Sequence, residues 1–219
     1  MVDKESILID DKFLQVIRSD SGKVRIFINT PKFTLVPSEF YSADLREKYV
    51  RCAHGMNKEE LIIENQFNEG KYYLLFPINQ KLKHSFDINF RESEIYHYAT
   101  VLASRLLDED KTNGTCILLN KQENQLYLVI SKNRSIIFLN SYLIKQDDDL
   151  IYFTLNSLRD NDIDPRSARV FYSGNITAND RMIPILKKYI KSLIKLTQSS
   201  NKKDINSFYK YFRFNQTTE

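Results

Sequence analysis

Residues 115–142 decide the fold. Thr115–Asn120 (TCILLN), Gln125–Ser131 (QLYLVIS) and Ser135–Tyr142 (SIIFLNSY) are three apolar runs of strand length. They are separated only by the polar turns Lys121–Asn124 and Lys132–Arg134. Runs this short, rich in Ile, Leu, Val and Tyr and bounded by polar residues, read as a three-stranded antiparallel meander. The next stretch is helical in pattern: residues 148–160 place Leu150, Phe153, Leu155 and Leu158 on an apolar stripe. Ala168–Tyr172 is then a short buried strand, Ser173-Gly174-Asn175 its turn, and residues 178–197 a second helix. That helix turns Met182, Leu186, Ile190, Leu193 and Ile194 inward and Lys187, Lys188, Lys191 and Lys195 outward.

The first half reads in the same order. Residues 13–18 and 24–29 are strands joined through the hairpin signal Ser19–Lys23, and 33–36 is a third. A helix is expected from Pro37-Ser38-Glu39 to about residue 50, then strands at 60–65 and 72–76. Ser93 is placed to cap a helix over 94–107, with Ile95, Ala99, Leu102 and Leu106 on one face. Both halves therefore run βββ, helix, β, helix. Strands alternating with long helices give an α/β class with mixed sheets. No Pro/Gly/Ser-rich linker intervenes, so two packed lobes are expected, residues 1–91 and 92–219, the latter ending in a basic segment, 198–219. This duplicated order is that of the actin-like and ribonuclease-H-like folds.

Lys32–Tyr41 (KFTLVPSEFY), together with Asp164-Pro165 and Val170–Ile176 (VFYSGNI), resembles a family found mainly in Bacteroidetes and described as having an actin-like ATPase fold. The resemblance spans nearly the whole chain. It implies that fold and a distant kinship with the pilus-assembly and cell-division branch of actin-like proteins; it supplies no activity.

An actin-like ATPase holds phosphates and Mg²⁺ through an Asp-x-Gly hairpin turn in each lobe and approaches adenosine with a third, glycine-containing turn. Asp20-Ser21-Gly22 matches the first turn, although Asp-x-Gly is also ordinary hairpin chemistry. The second, Lys121-Gln122-Glu123-Asn124, has neither Asp nor Gly, and Glu123 would repel a phosphate. Gly174 alone remains of the third. Asp20, Gly22 and Gly174 are thus the candidate residues of a degenerate ATP/Mg site, in which hydrolysis is not expected. Only 5 of 219 residues are glycine, which agrees with that reading.

Other chemistry is sparse. Cys52-Ala53-His54 lacks zinc-site spacing, and His84 and His97 are isolated. Asp147-Asp148-Asp149 precedes a helix, where carboxylates cap N–H groups, and Glu92 and Glu94 suit the same role. There is no phosphate loop and no nucleophile elbow.

The formal charge of +4 is unevenly placed: residues 181–219 carry nine basic and two acidic groups, a net +7, leaving −3 for residues 1–180. Ser207–Phe214 (SFYKYFRF) interleaves rings with cations, a pattern that suits either a docked terminal element or single-stranded nucleic acid. Lys187, Lys188, Lys191, Lys210 and Arg213 are therefore the candidate partner contacts. Two cysteines, no spanning apolar stretch and an acidic opening without signal-peptide character point to a reducing cytoplasm. The expected function is a non-catalytic scaffold or adaptor. A weak ATP-binding protein or ATPase is the first alternative, and nucleic-acid binding through the basic end the second.

Overall fold

The computed structural model describes the backbone of residues 4–9, 12–18, 24–111 and 113–196, with side chains from Val24 onward. The chain divides into two compact units, and the boundary follows Thr100.

In the first unit, β1 (Lys4–Ile9), β2 (Lys12–Arg18) and β3 (Val24–Asn29) form an antiparallel meander. β7 (Glu94–His97) lies parallel to β3 and completes the order β1-β2-β3-β7. Between β3 and β7 the chain builds a second sheet of order β4-β6-β5, from β4 (Thr34–Pro37), β5 (Glu60–Phe67) and β6 (Tyr72–Asn79). Two 3-10 turns (Ser38–Phe40 and Ala43–Leu45) and α1 (Arg46–His54) separate β4 from β5. β6 is buried on both faces because α1 seals one of them, Val50 packing on Val36 and Leu75. At the rim of that cluster Tyr41 stacks on Tyr73 with ring centroids 3.6 Å apart and donates to Glu64 Oε2 at 2.5 Å. Burial and that carboxylate push its phenol up to about 12. α2 (Gln80–Asn89) follows β6; its Asn79 cap accepts the Lys81 N–H at 2.8 Å.

α3 (Tyr98–Glu109) leads into the second unit, whose five-stranded sheet has the order β10-β9-β8-β11-β12. β8 (Thr115–Gln122), β9 (Gln125–Lys132) and β10 (Ser135–Leu143) are the expected meander, and β11 (Arg169–Gly174) and β12 (Ser192–Lys195) add in parallel. β9 is buried on both faces. Ile117, Leu119, Leu126, Leu128 and Ile130 face α4 (Asp147–Asp160) and α5 (Met182–Tyr189), with Leu150, Leu158, Met182 and Leu186 filling the layer. Each such buried aliphatic side chain stabilises by about 1.5–3 kcal/mol relative to exposure. On the opposite face Asp110, just past α3, accepts from Ser131 Oγ at 3.0 Å, from the Arg134 N–H at 3.1 Å and from the Cys116 thiol at 3.5 Å. Burial and Asp110 push that thiol up to about 12.

The structure corrects several sequence expectations. Residues 94–97 are a strand, because Ile95 and His97 alternate inward with period two beside β3; the helix begins at Tyr98 and Ser93 caps nothing helical. The helix expected over 178–197 is helical only over Met182–Tyr189. Ile190 turns to extended backbone there, and Ser192–Lys195 pairs with β11. Residues 38–45 form two 3-10 turns, so α1 starts eight residues later than the Pro37-Ser38 signal suggests. His97 does not lie on a long helix with one side in water; it is fully buried at the end of β7.

Candidate functional site

In open α/β sheets, ligands gather beyond the carboxyl ends of parallel strands. Each unit has such a place, β8 beside β11 and β3 beside β7.

At the β8/β11 end, Gly174 pairs with Lys121 at the last rung of the ladder. Its φ of +74° suits glycine, and a methyl group there would overlap the Lys121 carbonyl oxygen and crowd Asn120 Nδ2. The same carbonyl accepts the Asn175 N–H at 2.7 Å. Buried Asn120 donates to Ser173 Oγ at 2.8 Å, joining the strands just below. The glycine thus lets two backbones of this chain approach each other. Further along the turn Asp180 accepts from the Thr177 N–H at 2.8 Å and from its hydroxyl at 2.5 Å. These bonds, the hydroxyl first, hold the Asp180 carboxyl below the usual range.

The charges around this end are paired internally. Lys121 Nζ lies 3.4 Å from Asp147, and Arg181 lies 3.9 Å from Asp148. Asp149 is a cap: its carboxylate accepts the Lys145 and Gln146 N–H groups at 2.8 and 3.0 Å, and these bonds lower its pKa. The two-residue turn of the β8–β9 hairpin has Glu123 at φ +50°, a left-handed position held here by a charged side chain. Among the described residues no group of His, Cys, Asp and Glu converges as metal ligands would.

The β3/β7 end is closed by a buried polar network. His97 Nδ1 accepts the Ala99 N–H at 3.0 Å, so the proton sits on Nε2, which donates to the Thr30 carbonyl at 2.9 Å. Phe33 and Phe76 pack on the imidazole, with centroids 4.7 and 5.0 Å away. Burial lowers its pKa to about 3, keeping the ring neutral. Asn65, reaching from β5, donates to the Ile95 carbonyl at 2.8 Å and accepts the His97 N–H at 2.7 Å. Its amide thus serves β7 as a neighbouring strand would, with Thr100 Oγ1 3.3 Å from the same oxygen. Sequence reading missed Asn65; a lone amide among the apolar residues of 61–67 was its signal.

Of the candidate residues, Gly174 lies at the β8/β11 end, against Lys121. Lys187 and Lys188 are exposed in the last turn of α5, where positive charge suits the helix dipole, and Lys191 is exposed just before β12. Asp20, Gly22, Lys210 and Arg213 lie outside the described residues, as does the segment 198–219. His84 and Cys52 are exposed, and His54 Nε2 lies 2.7 Å from the Phe33 carbonyl.

Residues 13–193 match the family model described as protein of unknown function (DUF3822). The chain belongs to the DUF3822 family. A crystal structure from Bacteroides thetaiotaomicron, of a protein with an actin-like ATPase fold and unknown function, is similar over 95% of both chains, at 14% identity and a TM-score of 0.80. The DUF3822 chain therefore has the actin-like ATPase fold, a mixed α/β architecture with mixed sheets. Weaker likenesses are to a chain of the PilM–PilN type IV pilus biogenesis complex and to apo pSK41 ParM. The first has 12% identity, 78% of this chain, 68% of that one and a TM-score of 0.45. The second has 12% identity, 94% and 95% coverage and a TM-score of 0.32. No curated protein matches the sequence. Among the described residues no helix is long and apolar enough to cross a membrane.

Proposed function

We propose that this DUF3822 chain is a non-catalytic actin-like scaffold that acts through protein–protein contacts, its nucleotide-binding turns converted to internal structure. The observation that carries the reading is the β8/β11 end. Gly174 is used to bring its own strand against the Lys121 carbonyl, and the Asn175 and Thr177 N–H groups are bonded to Lys121 and Asp180. A phosphate cradle needs free N–H groups and an unencumbered cation. Here the Lys121 ammonium already faces Asp147, and the Glu123 turn adds negative charge. These residues do not fit a Mg²⁺-nucleotide.

The test is ATP turnover by the full chain with Mg²⁺, compared with Asp20→Ala. Turnover indistinguishable from background in both supports a scaffold. Turnover that Asp20→Ala abolishes would establish an ATPase instead.

A further inference from the structure

The three sheets end in six edge strands among the described residues, and one of them is unlike the rest. Exposed edges invite pairing with another chain, and proteins blunt them by shortening, by charge or by proline. β4, β7 and β12 are four residues each, and β4 ends in Pro37. β1 carries Lys4 and Glu5, and β5 carries Glu60 and Glu64. β10, sequence SIIFLNSYL, runs nine residues with no charge and no proline. Its one irregularity is a register shift at Ile137, near its start. No strand pairs with its outer edge among the described residues.

The surroundings of this edge are apolar as well. Ile137 and Leu143 are 43% and 60% exposed, and on α4 Tyr152, 63% exposed, lies edge-on to Phe153, which itself stacks on Tyr142 of β10. The two ends of β10 carry opposite charge. The turn entering it holds exposed Lys132 and Arg134, and the chain leaving it reaches the exposed Asp147 and Asp148.

We propose that β10 is a homodimer interface, pairing antiparallel with β10 of a second copy about a twofold axis to make one continuous ten-stranded sheet. Antiparallel pairing sets the basic end of each copy beside the acidic end of the other, whereas parallel pairing would set like charges together. An uncharged centre lets the same strand serve as both partners. This interface stands apart from the nucleotide turns: a chain that bound ATP could pair in the same way.

The test is the sedimentation of the full chain across about 1–100 μM, where mass action separates monomer from dimer. A dimer is expected. Asn140→Lys, at an exposed position near the axis, sets like charges against each other and should raise the dissociation constant at least ~100-fold. Far-UV circular dichroism and melting temperature establish that the variant is folded. Arg134→Glu should weaken the dimer, and Arg134→Glu combined with Asp148→Arg should restore it. A monomer throughout, a dimer indifferent to Asn140→Lys, or a charge reversal that restores nothing would overturn the interface as described.

Discussion

The two parallel strand pairs, β3/β7 and β8/β11, occupy the same place in their sheets and end in opposite ways. In the first unit the pair ends in a neutral, ring-packed histidine with Asn65 clamped across β7. In the second it ends in a polar turn whose donors and charges are paired with one another. The chain also enters the sheets from opposite sides. β3, the last strand of its meander, meets the parallel partner in the first unit, whereas β8, the first of its meander, does so in the second. One arrangement of strand directions is thus reached by two chain orders. The N–H groups of His97, Ala99, Asn175 and Thr177, which bracket the two ends, are all bonded within the chain.

The largest break in this comparison comes at Asn65. Asn65→Leu leaves the buried Ile95 carbonyl and His97 N–H without their partner, and should cost about 4 kcal/mol, at roughly 1–3 kcal/mol for each orphaned group. Chemical denaturation measures it; a cost below about 1 kcal/mol would mean that water replaces the amide.

Gly174→Ala ranks next. It combines a left-handed backbone with overlap on the Lys121 carbonyl, for an expected loss of about 3 kcal/mol. If the glycine instead served a ligand, the variant would keep its stability, because the space its methyl enters would be open.

The pH dependence is smaller and separates the two ends. His97 falls from 6.5 to about 3 on folding, so between those values the unfolded chain binds a proton that the folded one does not. Stability is full above pH 6.5 and declines as pH falls through this window, by about 2 kcal/mol at pH 5. His97→Gln should flatten the decline. The lowered pKa of Asp180 acts only in more acidic solution, below the ordinary carboxylate value of 3.8. A profile unchanged in His97→Gln would show that the imidazole is not held neutral.

The second unit was legible in the sequence because its meander strands are contiguous, apolar and separated by turns of two residues, a local signal. The first was less so. Residues 94–97 form a strand only because β3, some seventy residues earlier, lies beside them, and a capping serine next to helix-spaced apolar residues points the other way. Lys187, Lys188 and Ile190 continue a helical stripe, yet the open edge of β11 draws Ser192–Lys195 into the sheet. For the site, the lack of Asp and Gly at residues 121–124 was plain from residue types. That Gly174 meets Lys121 rather than a ligand depends on strand register, which residue types do not carry.

Calorimetric titration of the full chain with Mg²⁺-ATP tests the central claim most directly. Turns bonded to themselves predict no heat of binding up to about 1 mM nucleotide, an affinity weaker than about −4 kcal/mol. A micromolar dissociation constant would contradict it, showing that the paired turns open to admit the nucleotide.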